Sequence, residues 1–205
     1  MVVMQLETGP LAVNTYIVGD EKTKEALVVD PGGDVPLILS ALTKQGLTCK
    51  LIFNTHTHWD HVGGNGELKK ATGAPLVTHA DEAPDLANAP VQASFFGMSV
   101  PPSPGADRLV GEGDVLKVGG IEMKVIELPG HSPCGLGLLF DKFAIVGDAL
   151  FAGSIGRTDF PGGDLNTLLD NIRRKLFTLP DETVVLSGHG PRTTIGREKK
   201  FNPFF

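Results

Sequence analysis

The sequence has few cysteines, no basic excess and no long apolar run, and each absence argues against a class of protein. Its 205 residues include two cysteines, Cys49 and Cys134. Two are too few for a disulfide framework in a chain of this size, so we expect reduced thiols. The formal net charge of -6 argues against nucleic-acid and anionic-membrane partners, because both require a basic surface. No apolar stretch is long enough to span a bilayer.

The first ten residues, MVVMQLETGP, have neither a basic start nor a long apolar core. We therefore expect no signal peptide and a cytoplasmic location. The composition, with 41% hydrophobic and 20% charged residues, is that of an ordinary globular protein. The chain length predicts a single domain over residues 1–205 with a sizeable core. Plentiful glycine and proline are spread between short strands, which is typical of an enzyme whose loops carry the chemistry.

The pattern of apolar residues predicts a mixture of strands and helices. Apolar spacing predicts helices over 35–45 and 164–178, and alternation predicts a hairpin of strands 114–118 and 121–127. The stretch 89–106 is rich in Pro, Ser, Ala and Gly, which predicts a loop. A doubly wound parallel sheet would show a steadier strand–helix alternation. Two sheets covered by helices on the outside fit this order better.

The run HTHWDH at residues 56–61 contains four side chains that can bind a metal, directly after an apolar strand. Imidazole nitrogens and carboxylate oxygens are ligands for zinc, iron or manganese. Three further polar residues, His131, Asp148 and His189, each follow an apolar strand in the same way. Strand-end loops meet at one edge of a sheet, so we expect these side chains to converge. The alternative is a surface turn rich in histidine, or histidines buried in the core.

The HxHxDH motif, followed in order by His131, Asp148 and His189, resembles the metallo-β-lactamase superfamily. The matching motifs extend from Asp30 to His189 and therefore cover nearly the whole chain. The resemblance implies an α+β fold, a four-layer αβ/βα sandwich of two mixed β-sheets with outer helices. Asp30 matches a common aspartate of the superfamily, which either orients a ligand histidine or caps a turn.

The resemblance also implies a site for two divalent metal ions, with zinc first and iron or manganese as alternatives. By position, His56, His58 and His131 would hold one metal, Asp60, His61 and His189 the second, and Asp148 would bridge them. Two metals about 3.5 Å apart can share a hydroxide and hold a developing oxyanion. Asp60 is the predicted catalytic residue, because it can take the proton of the attacking water or hold the water in line.

The bridging Asp148 narrows the resemblance to the hydrolase and oxygenase branches of the superfamily, because true β-lactamases generally lack an aspartate there. The stretch 147–160 resembles glyoxalase II and the persulfide dioxygenases, and the stretch 188–204 resembles a short glyoxalase II-like group. Arg157 stands where glyoxalase II has a lysine that grips the glycine carboxylate of glutathione. A guanidinium can form a two-pronged hydrogen bond to that carboxylate, although a solvated loop charge is the alternative. Asp159 stands at a position where the longer glyoxalase II enzymes have an aromatic residue.

We therefore expect a metal-dependent hydrolase that cleaves a small thioester, hydroxyacyl-glutathione, by attack of a metal-bridging hydroxide. The alternative is a persulfide dioxygenase that acts on glutathione persulfide with one ferrous ion on His56, His131 and Asp148. A third hypothesis is a metal-binding module without activity, against which the complete ligand set argues. The expected partner is a small-molecule substrate, with no nucleic acid and no membrane.

Five other residues lie outside the predicted ligand set. His79 is expected to be an ordinary polar residue at a strand end, and Cys134 a buried inert thiol. Trp59 either lines the site or packs beneath it. The pair at 95–96, two phenylalanines, either covers the substrate or anchors its own loop.

Overall fold

The computed structural model describes all residues from 1 to 205. Contacts between Cα atoms divide the chain into two compact units. The first is Met1–Val110 with Leu116–Glu122, and the second is Gly111–Val115 with Met123–Phe205. The single domain expected from the chain length stays a prediction. None of the helices combines the length and the apolar character needed to cross a membrane.

The first sheet contains six strands in sequence order, namely β1 Val2–Thr8, β2 Val13–Gly19, β3 Glu25–Val29, β4 Thr48–Phe53, β5 Leu76–Thr78 and β6 Arg108–Leu109. The pairs β1–β2 and β2–β3 are antiparallel, and the pairs from β3 to β6 are parallel. β3 is apolar after its first residue and is buried there, as expected for a parallel strand covered on both faces.

Four α-helices and one 3₁₀ segment accompany this sheet: α1 Val35–Gln45, α2 Trp59–Val62, α3 Asn65–Thr72, the 3₁₀ segment Ala83–Asn88, and α4 Ala89–Ser94. α1 has the predicted bounds and ends at Gly46 in the left-handed conformation, a common helix stop. The prediction of a loop over 89–106 is wrong at its start, where α4 forms. Pro90 is tolerated in the first turn, because a proline there removes no helical hydrogen bond.

The second sheet has the order β14-β13-β10-β9-β8-β7. Its strands are β7 Val115–Val118, β8 Ile121–Glu127, β9 Leu136–Leu139, β10 Phe143–Gly147, β13 Val184–Ser187 and β14 Thr193–Thr194, and a separate hairpin pairs β11 Leu150–Phe151 with β12 Ser154–Ile155. β10 and β13 are parallel, whereas β8–β9 and β9–β10 are antiparallel. The predicted hairpin is therefore present as the neighbours β7 and β8.

The helices after this sheet are α5 Leu165–Asn171, a π-helical turn Ile172–Leu176 and α6 Ile195–Phe201. Asp164 is the N-cap of α5, because its side chain accepts a hydrogen bond from the backbone N–H of Thr167. The helix predicted over 164–178 thus leaves α geometry at Ile172. Its buried stripe of Leu168, Ile172 and Leu176 packs into the core of this unit, so the apolar spacing is correct even where the hydrogen-bonding pattern changes.

Candidate metal centre

The first four candidate ligands follow β4, beside the end of β3. His56 and His58 lie in the connection, and Asp60 and His61 lie in the short helix α2. These two strands are parallel and pair Val29 with Phe53, and the Asp30 N–H donates to the Phe53 carbonyl at 2.9 Å. Parallel strands end at the same edge of a sheet, so Asp30 and the loop of residues 56–61 start side by side. That all seven candidate ligands converge stays a prediction.

Asp30 is a buried carboxylate that holds the histidine loop in place. It is 1% exposed. Its Oδ1 accepts from the Thr55 N–H at 2.8 Å, and its Oδ2 accepts from the Thr55 hydroxyl at 2.7 Å. The same Oδ2 lies 3.1 Å from Nδ1 of His61. These contacts support the role of orienting a ligand histidine, and the sequence could not choose that role over turn capping.

The hydrogen bonds fix which ring nitrogen of two histidines carries the proton. An ionised Asp30 only accepts, so Nδ1 of His61 donates to it. The Thr55 hydroxyl gives its proton to Asp30 and accepts from Nδ1 of His56, 3.0 Å away. In a neutral imidazole whose Nδ1 is protonated, Nε2 carries the lone pair. Both rings therefore present Nε2 as the ligand atom, which fits a metal site.

The side chains of the 56–61 loop are close together and mostly buried. The ring centroids of His56 and His58 lie 4.6 Å apart, and those of His56 and His61 lie 4.1 Å apart. Nε2 of His61 is 3.8 Å from Oδ2 of Asp60. Two atoms that share a tetrahedral zinc at about 2.1 Å each are about 3.4 Å apart. The donor types and their spacing fit a divalent metal.

Glu82 is a second buried carboxylate that contacts the 56–61 segment, and the sequence pattern did not point to it. Its Oε2 accepts from the N–H and the hydroxyl of Thr57, at 3.0 and 2.8 Å. Thr57 lies between the two candidate ligands His56 and His58, so Glu82 fixes the backbone that carries both. No local pattern marks it, because it lies 25 residues along the chain from Thr57.

The candidate ligands of the second unit also lie at strand ends that share one edge. β8 and β10 run in the same direction because each is antiparallel to β9, and β13 is parallel to β10. His131, Asp148 and His189 follow these three strands. The Gly188 N–H donates to the Gly147 carbonyl at 2.8 Å, which extends the β10–β13 pairing to the two ligand positions. The three candidate ligands of this unit therefore follow strand ends at one edge of its sheet.

Asp148 faces two imidazoles in the second unit. Its Oδ2 lies 3.6 Å from Nε2 of His131 and 3.7 Å from Nε2 of His189. Nδ1 of His131 donates to the Arg157 carbonyl at 2.7 Å, and a carbonyl can only accept, so Nε2 carries the lone pair. Two ring nitrogens around one carboxylate oxygen can share a cation with it. This arrangement is consistent with the bridging position predicted for Asp148.

Gly156 gives these ligands the space they need, and the sequence analysis did not identify it. A Cβ at this position would lie 1.9 Å from the Asp148 carbonyl oxygen and 2.9 Å from Nδ1 of His131. Neither contact is tolerable for a side chain. The backbone after β12 therefore passes directly under two candidate ligands, which only a glycine allows.

Arg157 is held by its neighbours on the same loop. Its Nε and Nη2 donate to the two carboxylate oxygens of Asp159 at 2.9 and 2.8 Å, and the guanidinium carbon lies 4.1 Å from the Phe160 ring centroid. The hydrogen bonds to Arg157 lower the pKa of Asp159 to about 2, and those to Asp159 raise the pKa of Arg157. Substrate binding by Arg157 stays a prediction.

Trp59 packs beneath the loop rather than lining it. It is 3% exposed and belongs to the core of the first unit. Its backbone N–H donates to Oε1 of Gln92 at 3.0 Å, and its ring centroid lies 5.9 Å from that of Phe96. Phe96 is 49% exposed and Phe95 is 84% exposed, so the choice between covering the substrate and anchoring the loop stays open.

The remaining expectations concern His79 and the cysteines. Nδ1 of His79 accepts from the backbone N–H of Asp81 at 3.1 Å, the behaviour of an ordinary polar residue at a strand end. Cys49 and Cys134 are buried and form no disulfide. Burial raises the pKa of the Cys49 thiol to about 11, so this thiol stays protonated at neutral pH.

Residues 8–189 match the family model of the metallo-beta-lactamase superfamily. Among relatives of known name, the chain is 38% identical to the hydroxyacylglutathione hydrolase GloC of Haemophilus influenzae, over 98% of each chain. It is 37% identical to the probable metallo-hydrolase YqgX of Bacillus subtilis, over 98% of this chain and 95% of that protein.

Solved structures share the fold over almost the whole chain. The crystal structure of the B3 metallo-β-lactamase BLEG-1 superposes with a TM-score of 0.93 at 36% identity, covering 99% of each chain. The di-iron-bound form of TTHA1623 gives a TM-score of 0.90 at 36% identity, covering 98% of this chain and 100% of that one. ETHE1 from Myxococcus xanthus gives a TM-score of 0.85 at 33% identity, covering 99% of this chain and 84% of that one. The predicted fold class, two mixed β-sheets with helices, is confirmed.

Proposed function

The chain belongs to the metallo-β-lactamase superfamily, whose members are generally metal-dependent hydrolases, and from that premise we propose that it hydrolyses a small glutathione-linked thioester. The observation that carries hydrolysis is the Asp148 carboxylate facing Nε2 of two histidines. The thioester is supported by the similarity to a protein named hydroxyacylglutathione hydrolase, at 38% identity over 98% of both chains.

The proposed metal ligands are the seven residues of the superfamily motif. His56, His58 and His131 would hold one divalent ion, Asp60, His61 and His189 would hold the second, and Asp148 would be a ligand of both. When bound, the metals lower the proton affinity of a water molecule and polarise the substrate carbonyl. Zinc suits this nitrogen and oxygen set. Iron is the first alternative, because a relative with 36% identity has been crystallised with two iron ions.

The protein side chains then hold the reactants and move protons. Asp60 accepts the proton of the attacking water or holds that water in line with the carbonyl. Asp30 and Thr55 keep the Nδ1 protons of His61 and His56 in place, so that each Nε2 stays a ligand. Arg157 binds the terminal carboxylate of the thiol half of the substrate. The thiolate leaves and is protonated.

The test is thiol release from S-D-lactoylglutathione by protein that is metal-free, zinc-loaded or iron-loaded. We expect rapid release only from the loaded forms. The variant Asp148→Ala should lose metal and turnover together, whereas Asp141→Ala, in the exposed turn between β9 and β10, should behave as wild type. Full activity of Asp148→Ala would refute the mechanism.

Two other activities follow from specific similarities. The 147–160 stretch resembles persulfide dioxygenases as well as glyoxalase II, and oxygen uptake with glutathione persulfide after anaerobic iron loading tests that alternative. The structural similarity to BLEG-1, a B3 metallo-β-lactamase, suggests β-lactam hydrolysis as a third candidate activity. A chromogenic cephalosporin is the substrate that tests it. A thioesterase will be much faster on the thioester than on either competitor.

A further inference from the structure

The guanidinium of Arg157 already binds a carboxylate of the chain itself. Both oxygens of Asp159 accept from it, one from Nε and one from Nη2, at 2.9 and 2.8 Å. This is the parallel two-pronged arrangement by which an arginine recognises a free carboxylate. Phe160 covers one face of the guanidinium at 4.1 Å. The pair therefore occupies one of the two-pronged donor edges of Arg157, the edge formed by Nε and Nη2.

The backbone of Arg157 is held in place, whereas the ion pair between the side chains of Arg157 and Asp159 can exchange with other ions. The Arg157 carbonyl accepts from Nδ1 of His131, so the backbone at residue 157 is tied to a candidate metal ligand. The side chains of Arg157 and Asp159 are 59% and 67% exposed. An ion pair with this exposure is weak, because water and salt compete with it. A carboxylate presented by a bound substrate can replace it.

We propose that Asp159 is a specificity-determining residue, an internal carboxylate that occupies the Arg157 subsite and yields it to the terminal carboxylate of a thioester's thiol half. This inference rests on the proposed function. A thiol without a carboxylate gains nothing from displacing Asp159. The free thiol product no longer has the acyl group and its contacts with the site. Its carboxylate alone then competes with Asp159 for Arg157. Asp159 thereby weakens product binding and favours release.

The test measures binding of S-methylglutathione, a ligand that cannot be hydrolysed, to the metal-loaded protein by calorimetry at low ionic strength. The variant Asp159→Asn keeps the shape and removes the charge and one acceptor. We expect its dissociation constant to fall about three- to five-fold, the range set by an exposed ion pair. Asp170→Asn is the matched control, because Asp170 forms an exposed pair with Arg174 at 2.8 Å. It should bind as wild type.

A double-variant cycle separates competition from a general loss of negative charge. In an Arg157→Ala background, Asp159→Asn should no longer strengthen binding. Unchanged or weaker binding in Asp159→Asn, an equal gain in Asp170→Asn, or a gain that persists without Arg157 would each overturn the inference. No binding by either the wild type or Asp159→Asn would overturn it too.

These outcomes are independent of turnover, so failure of the proposed thioesterase is recognised separately. In kinetics, Asp159→Asn should lower KM for S-D-lactoylglutathione by a similar factor. For the lactoyl thioester of N-acetylcysteamine, which has no carboxylate on its thiol half, KM should not change. An equal change in KM for both substrates would contradict the specificity role.

Discussion

At the scale of single residues, the candidate metal centre depends on side chains that are not ligands. Thr55 is the clearest case. Its hydroxyl donates to Asp30 at 2.7 Å and lies 3.0 Å from Nδ1 of His56. One hydroxyl thus links the buried carboxylate to a candidate ligand and sets the tautomer of that ligand. Groups that orient ligand histidines typically change metal affinity by about 10–100-fold when they are removed.

We expect Thr55→Val to weaken metal binding about ten-fold or more, because Nδ1 of His56 loses its acceptor while the shape is nearly kept. Competition with a chromophoric chelator measures this change. Thr55→Ser retains the hydroxyl and should stay within about two-fold of wild type. Equal affinities for the valine and serine variants would show that the hydroxyl does not matter.

At the scale of secondary-structure elements, polar side chains in turns connect the ends of strands by hydrogen bonds. Asp20 follows β2, and its Oδ2 accepts from the Gly120 N–H of the β7–β8 turn at 2.7 Å. The Lys22 N–H donates to its Oδ1 at 2.9 Å. These backbone hydrogen bonds lower the pKa of Asp20 to about 2. A single carboxylate therefore joins two turns that lie 100 residues apart in the chain.

The stabilisation from Asp20 should depend on pH. Because its pKa is lower in the folded protein, its contribution is present above about pH 4 and is lost as the pH falls towards about 2. Asp20→Asn should therefore unfold at lower urea than wild type at pH 7, and the difference should close between pH 4 and 2. Urea titrations of the metal-free proteins measure this, with Asp141→Asn as the control. A difference that is constant with pH would contradict the account.

Glu198 has a similar role for α6, and it is buried. It is 1% exposed, its Oε2 accepts from the Gly153 N–H at 2.8 Å and from Nδ2 of Asn202 at 2.9 Å, and Thr193 donates to its Oε1. Glu198→Ala leaves these donors without acceptors and should cost about 3 kcal/mol of unfolding free energy. Urea unfolding tests this against Glu182→Ala at an exposed site. A cost below about 1 kcal/mol would refute the role.

The sequence predicts elements well where apolar spacing is strong. α1 has the predicted bounds Val35–Gln45, since its apolar spacing and the glycine at its end agree. Three short strand pairs were not predicted, β6 with β5, β11 with β12 and β14 with β13, because two residues carry no periodicity. The composition of 89–106, rich in Pro, Ser, Ala and Gly, predicts a loop. α4 forms at its start, where Ala89 and Ala93 are buried by tertiary packing.

The candidate ligands were predictable for a different reason. Five of the seven are histidines, in a chain that has six. They follow apolar strands, so the sequence shows both their chemistry and their location. The supporting residues Thr55, Glu82 and Gly156 are of common types, and their partners lie on other segments. Only the three-dimensional structure shows that Gly156 passes under Asp148, or that Glu82 fixes Thr57.

At the scale of the whole molecule, the chain carries a formal net charge of -6, and candidate metal ligands occur in both of its units. Ions that bind only the folded state stabilise it by mass action, by about 4 kcal/mol at a thousand times the dissociation constant. In a protein of this size each kcal/mol raises Tm by about 2–4 °C. Metal binding should therefore be visible in global stability.

Removal of metal by a chelator should lower Tm by about 10 °C, and addition of zinc should restore it. Differential scanning calorimetry measures both steps. Asp148→Ala should show a much smaller response to zinc. A Tm that is the same with and without chelator would indicate that these residues hold no ion in the folded protein.

The most direct test of the central claim is anaerobic thiol release from S-D-lactoylglutathione as zinc is titrated into metal-free protein. The proposed binuclear hydrolase predicts turnover without oxygen that rises with metal and saturates at about two equivalents per chain. Absence of thiol release at every loading, or release that requires oxygen, would contradict it.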